Sequence, residues 1–301
     1  MPENGEEKKM KKFLVLIVFA MIIIFALSCG NEKKSSGYEL ALITDVGTID
    51  DRSFNQGSWE GLKKYAEEKG ITHKYYQPTE KTTDAYIDSI DLAIAAGAKI
   101  VVTPGFLFEP AIYKAQDIHP EVNFVLLDGS PQDGNYQDFR IEKNVYSVFY
   151  AEEEAGFLAG YGAVKEGYTN LGFMGGMAVP AVVKFGYGFV QGVNYAAKEL
   201  GIRNVKVDYN YLGGFNPSPE IQTKAASWYR NGVQVIFVAG GGAGNSVMSA
   251  AEQNKGYVVG VDVDQSVESP TVITSAMKMI GESVYNAIDE FYKDNFPGGK
   301  K

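Results

Sequence analysis

From Tyr38 onward, short apolar runs alternate with longer amphipathic segments. That β-then-α rhythm restricts the chain to parallel sheets covered by helices on both faces. In the first half, the runs Glu39–Val46, His73–Gln77, Lys99–Thr103 and Asn123–Asp128 read as strands. Between them, Ser53–Lys69, opened by Ser53 and closed by Gly70, Thr83–Ala96, closed by Gly97, and Glu109–Asp117 read as helices. Ile141–Phe149 is expected as an extended crossing, after which the alternation restarts. Helices are expected at Ala151–Lys165, Val179–Leu200, Pro219–Asn231 and Asn245–Asn254. Strands are expected at Asn170–Met174, Val205–Tyr211, Val233–Ala239 and Tyr257–Asp262. Thr271–Ala276 reads as a second extended crossing, and Ile280–Tyr292 as a final helix.

Two α/β units joined by more than one crossing make a cleft that can close like a hinge. A chain of 301 residues that is 45% hydrophobic has enough apolar surface for two such cores. The expected division is residues 38–146 with 277–301 for one lobe, 147–270 for the other, and 271–276 as the crossing strand.

The segment before Tyr38 reads as an address. Lys8, Lys9, Lys11 and Lys12 precede an unbroken apolar run from Phe13 to Leu27, followed by Ser28-Cys29-Gly30. A basic start, a short apolar stretch and a small residue at its end are the parts of a secretory signal. The run falls short of the roughly 20 residues that span a bilayer as a helix. Met10-Lys11-Lys12-Phe13 reads as the functional start of this signal. Ser28-Cys29-Gly30 resembles a bacterial lipobox, with Ala26 where Leu is commoner, and implies diacylglycerol linkage at Cys29. Residues 1–29 are then the signal with its lipid-accepting Cys, and 30–37 a small, polar tether. The folded part would sit on the bacterial cell membrane, lipid-anchored and facing the periplasm or the exterior.

Several function classes are disfavoured. With 28 Lys and Arg against 37 Asp and Glu, the net charge of -9 argues against a nucleic-acid surface. One Cys and two isolated His leave no set with metal-ligand spacing, so no metal site is expected. The glycine runs Gly172–Gly176 and Gly240–Gly244 match neither a dinucleotide fingerprint nor a P-loop, so no cofactor is expected. No Gly-x-Ser-x-Gly elbow appears. An enzyme would have to work through carboxylates alone, and we expect no catalytic residues.

In open α/β sheets, ligands bind beyond the carboxyl ends of the strands. Those ends carry Asp45, Asp128, Gly240 and Asp262, with Lys278 just past the second crossing and Phe54 and Asn55 at the first helix start. Carboxylates directly after buried strands are costly without partners, which favours a functional role for the three Asp residues. Asp50 and Asp51 read instead as solvated or capping residues.

The stretch Ile43–Gly57 (ITDVGTIDDRSFNQG) resembles the opening motif of the Bmp/Med family of binding lipoproteins, the PnrA-like purine-nucleoside receptors. Further matches follow in the family's order. They are Leu126–Ser130, Glu152–Gly160, Leu171–Gly176, Phe185–Val193, Val258–Asp264 and Thr274–Lys278. The resemblance implies a type I periplasmic-binding-protein-like α/β fold: two Rossmann-like lobes with parallel sheets, joined by a hinge. It also implies a purine nucleoside (inosine, guanosine or adenosine) held between the lobes and passed to ABC permease and ATPase subunits. By position, Phe54 and Phe185 would sandwich the base. Asp45, Asn55 and Asp128 would meet its edge, and Gly240, Asp262 and Lys278 the ribose. Family chains usually continue past the Phe296–Lys301 position with a strand and helix that complete the first lobe. The competing readings are the same fold with a sugar-like ligand, a surface adhesin for host matrix or proteins, and a carboxylate-based nucleoside hydrolase.

Overall fold

A computed structural model describes residues 37–45 and 47–300. The signal, Cys29, the tether up to residue 36, Val46 and Lys301 lie outside the described residues. In chain order the first half contains β1 (Leu40–Ile43), α1 (Phe54–Lys69), β2 (His73–Tyr76), α2 (Thr83–Ala95), β3 (Ile100–Pro104), α3 (Glu109–Ile118), β4 (Asn123–Leu127) and β5 (Val145–Val148). The second contains α4 (Glu152–Lys165), β6 (Asn170–Gly175), α5 (Pro180–Leu200), β7 (Lys206–Tyr211), α6 (Pro219–Arg230) and β8 (Val235–Ala239). It continues with α7 (Ala243–Asn254), β9 (Tyr257–Asp262), β10 (Val272–Met277) and α8 (Ile280–Tyr292).

The strands form two five-stranded sheets, β2-β1-β3-β4-β5 and β10-β9-β8-β6-β7. Every ladder is parallel. Both faces of such a sheet must be covered, so its central strands are apolar without interruption. β1, β3 and β8 are buried at every position.

The strand period of two divides each run between two cores. Ala41, Ile43, Val101, Phe124 and Leu126 pack against Tyr86, Ile90 and Ile112 of α2 and α3. Leu40, Leu42, Ile100, Val102 and Val125 pack against Leu62 and Tyr65 of α1 and Val284 and Ile288 of α8. The second sheet repeats the plan. Phe173, Val235, Phe237 and Val259 meet α4 and α5, while Met174, Ile236, Val238 and Val258 meet α6 and α7.

Both stretches expected as crossings are extended, yet each is hydrogen-bonded into a sheet. β5 pairs with β4 from Phe124↔Val145 to Leu127↔Val148. β10 pairs with β9 up to Met277↔Asp262. An extended segment beside an open sheet edge satisfies its backbone groups by joining the ladder, which a free crossing cannot do. The passages between sheets are therefore short: Phe149–Ala151 leads into α4, and Lys278–Met279 leads into α8, which lies on the first sheet. Among the described residues, no helix is long and apolar enough to cross a membrane.

The position of α5 depends on a seam of glycines. A methyl group at Gly156 would stand 2.2 Å from the Phe185 carbonyl oxygen, and one at Gly160 equally close to that of Phe189. From the other side, a methyl group at Gly188 or Gly192 would stand 2.0 Å from the carbonyl oxygen of Glu153 or Phe157, respectively. The two backbones touch, and α5 carries Phe185 into the space between the sheets. We predict that Gly188→Ala costs about 2–3 kcal/mol of stability in urea unfolding, because the backbones must part. Gly162→Ala, in α4 with nothing within 4 Å, serves as the control. It should stabilise by up to about 1 kcal/mol.

Candidate functional site

Parallel strands deliver all their carboxyl ends to one edge of a sheet, and here those edges of the two sheets face each other across a cavity of about 290 Å3. That lies near the lower end of small-molecule pockets. From the first lobe it is lined by Asp45, Gly105, Asp128 and the start of α1, including Phe54 and Asn55. The second lobe contributes Gly240, Asp262, Phe185 and Asn245, and Lys278 enters from the passage after β10. All eight positions singled out from sequence line this one cavity.

The polar groups fall into two sets. In the first, Asn55 Nδ2 donates to Asp45 Oδ1 and to Asp51 Oδ2, both at 3.0 Å. Asp51 Oδ1 also accepts from the backbone N–H groups of Ser53 and Gln56, at 2.9 and 3.0 Å. The Asp51 side chain thus caps the start of α1, and both Asp50 and Asp51 also line the cavity. The Ser53 side chain makes no capping bond; its hydroxyl donates across the cleft to Asp262 Oδ2 at 2.5 Å. A hydroxyl bonded to a buried carboxylate gains more than one bonded to a helix N–H that Asp51 already satisfies.

The second set surrounds Lys278, whose side chain is only 3% exposed. Its ammonium lies 2.5 Å from Asp128 Oδ2, 3.1 Å from Glu152 Oε1 and 3.9 Å from Asp262 Oδ1. The rings of Phe54, Tyr150 and Phe185 stand around it at 4.9, 5.2 and 5.3 Å from their centroids. Asp128 therefore bonds Lys278 directly and shares its charged set with Glu152 and Asp262. Asp128 and Asp262 both hold left-handed backbone, with φ of 54° and 68°. Such conformations are strained for non-glycine residues and persist where the surroundings enforce them.

Three buried carboxylates around one ammonium cannot all ionise cheaply. Burial opposes the charge on Lys278, but attraction to Asp128, Asp262 and Glu152 outweighs it and raises its pKa. Glu152 keeps its charge: burial pushes it up, yet Lys278 and then Lys184 hold it below the usual value. Asp128 is pushed up to about 7 by burial, against the pull of Lys278, with Glu152 and Asp262 adding repulsion. Asp262 is likewise raised by burial, opposed by Lys278 and Ser53.

Sequence reasoning missed Glu152, Phe106, Phe215 and Asn245. Glu152 is the first of three consecutive glutamates at the α4 start, and the string alone does not say which one turns inward. Phe106, Phe215 and Asn245 line the cavity from loops and a helix start whose position only the fold sets. The lobes also touch beside the cavity. Gln265 Nε2 donates to the Arg52 carbonyl oxygen at 2.7 Å, and Arg52 pairs with Glu268.

Residues 38–301 match the Bmp family, described as ABC transporter substrate-binding protein PnrA-like. The chain is 32% identical over 290 residues to the ABC transporter nucleoside-binding protein BmpA of Lactococcus lactis subsp. cremoris, covering 89% of this chain and 78% of that protein. It is 31% identical over 298 residues to basic membrane protein A1 of Borrelia garinii subsp. bavariensis, covering 97% and 84%. Among solved structures it resembles an ABC transporter solute-binding protein from Aeropyrum pernix K1, with TM-score 0.75 and 26% identity over 87% of this chain and 73% of that one.

The raised pKa of Asp128 makes stability depend on pH. The native state keeps a proton on Asp128 up to about pH 7, whereas the unfolded chain loses it near pH 3.9. Native Asp128 therefore contributes stability at low pH that is lost as the pH rises through 7. Relative to Asp128→Asn, wild-type stability in denaturant unfolding should fall between pH 4 and pH 8; parallel profiles would show an unperturbed Asp128.

Proposed function

Because this chain belongs to the Bmp family of PnrA-like ABC transporter substrate-binding proteins, we propose that its cleft captures purine nucleosides for import. The observation that carries this reading is the shared location of two aromatic faces, Phe54 and Phe185, and the buried Lys278–carboxylate array on one interlobe cavity. A nucleoside presents a flat base and a vicinal diol, and the cavity offers a surface suited to each. Stacking on an aromatic side chain contributes about 1–3 kcal/mol per base. Carboxylates accept hydrogen bonds from hydroxyl groups strongly where water is excluded, and Lys278 offsets their charge.

In this reading the base packs against Phe54 and Phe185, with Asp45 and Asn55 toward its edge. The ribose hydroxyls turn to Asp262, Lys278 and the backbone at Gly240, and Asp128 serves whichever part reaches the lysine. Inosine, guanosine and adenosine are the intended ligands. The loaded receptor passes them to separate permease and ATPase subunits. A lipid on Cys29 would hold it on the outer side of the cell membrane, where scavenged nucleosides arrive. The protein binds and releases its ligand unchanged.

Calorimetric titration of the full chain in detergent tests this. Intact inosine, guanosine or adenosine should bind tightly, with ribose and cytidine much weaker. Phe54→Ala should weaken binding by about 10- to 100-fold, the equivalent of one lost stacking face. Absence of purine nucleoside binding by folded protein removes the reading, and release of free base would make the protein an enzyme. For the anchor, cells expressing the chain with labelled palmitate should label the wild type and not Cys29→Ser; equal labelling rules out the Cys29 lipid.

A further inference from the structure

We infer that Glu152 is a positioning residue of the binding site, which holds the Lys278 ammonium in place and so leaves Asp128 available to the ligand. The inference rests on the nucleoside-capture reading for what the ligand is, and on geometry for the rest.

Glu152 is 2% exposed and makes two ion pairs with opposite ends of its carboxylate. Oε1 lies 3.1 Å from Lys278 Nζ, and Oε2 lies 3.2 Å from Lys184 Nζ. Lys184 also donates to the Tyr150 carbonyl oxygen at 3.4 Å. These contacts join three pieces that the chain delivers separately. Glu152 opens α4 just after the first passage between the lobes. Lys278 occupies the second passage. Lys184 precedes Phe185 on α5, the helix seated against α4 by the glycine seam. One carboxylate thus sets both the ammonium and the turn of helix that carries an aromatic wall of the cavity.

The consequence falls on Asp128. Its Oδ2 takes the Lys278 ammonium, while its Oδ1 is buried with no hydrogen-bond partner among the described residues, although Asp128 lines the cavity. An unsatisfied buried oxygen beside a cavity is costly unless something that enters the cavity bonds to it. Around Asp128 stand Lys278, Glu152 from α4, Asp262 from β9 and Tyr150 from the first passage. Because Glu152 shares the Lys278 ammonium with Asp128, the ammonium engages only one of the two Asp128 oxygens. Without that negative charge, Lys278 would draw on Asp128 and Asp262 instead, and Asp128 would ionise fully as a simple ion-pair partner.

The test compares the full chain in detergent as wild type, Glu152→Gln, Glu152→Asp and Glu153→Gln, using guanosine as the probe. Two quantities are read: the titration midpoint of Asp128 by carboxyl 13C NMR, and guanosine affinity by calorimetry between pH 5.5 and 8.5. In Glu152→Gln the Asp128 midpoint should move down from about 7, because a repelling charge is gone. Guanosine affinity at pH 7.5 should fall by about tenfold or more, and the pH at which affinity changes should move down with the midpoint. Glu153→Gln removes a neighbouring, half-exposed carboxylate and should alter neither quantity. An unchanged Asp128 midpoint and unchanged affinity in Glu152→Gln would overturn the inference. Should Glu152→Gln fail to fold, Glu152→Asp decides. It keeps the charge but withdraws it by one methylene, so the midpoint should hold while affinity falls about tenfold; unchanged affinity overturns the inference. If the wild type itself binds no guanosine, the nucleoside reading falls, and the Asp128 midpoint in Glu152→Gln still decides whether Glu152 governs the site.

Discussion

An ammonium group withdrawn from water is stable only where negative charge surrounds it closely, and the Lys278 side chain, 3% exposed, meets that condition through Asp128, Glu152 and Asp262. The three carboxylates come from different places: the end of β4 in the first sheet, the start of α4 after the first passage, and the end of β9 in the second sheet. Lys278 itself sits on the second passage. The array therefore forms only when both lobes and both passages take their places together. Removing one partner of such a buried set costs about 3–5 kcal/mol, because the remaining charges lose their compensation. Burial, with repulsion from Glu152 and Asp262 added, lifts Asp128 to about 7, and one of its oxygens has no hydrogen-bond partner among the described residues. The chemistry of the cavity follows from that imbalance.

Around this array the scaffold is largely apolar and rigid. Parallel sheets bring Asp45, Asp128, Gly240 and Asp262 to one level simply because all their strands run the same way. The glycine seam between α4 and α5 lets two backbones touch, so Phe185 is held by packing and not by a flexible arm. Phe185 is also braced edge-on by Phe237 from β8, with centroids 5.8 Å apart. A flat ligand meeting such a wall loses little to rearrangement of the protein, which raises the share of contact energy retained as affinity.

The connections between the lobes are short. Two short passages join the sheets, and polar contacts lie beside the cavity: Ser53 to Asp262, Gln265 to the Arg52 carbonyl, and Arg52 to Glu268. The Lys278 array adds a buried ionic link between the two sheets, through Asp128 after β4 and Asp262 at the end of β9.

Much of this was legible in the string. Uninterrupted apolar runs such as Ile100–Val102 and Val235–Val238 dictated buried parallel strands, and the ends of α1 followed from Ser53 and Gly70. Carboxylates placed directly after those runs pointed to Asp45, Asp128 and Asp262, which line one cavity. What the string left open were the partners. Ser53 lies 209 positions from Asp262, and Lys278 lies 150 from Asp128. The inward turn of Glu152, one of three consecutive glutamates, the pairing of both expected crossings into sheets, and the place of Asp128 in the lysine array all depend on such distant contacts. Local sequence determined which segments fold and which strand ends carry carboxylates, since propensity and burial act over a few residues. Only the tertiary structure decided which charges share a site, since desolvation and Coulomb attraction act between atoms brought together by the whole fold.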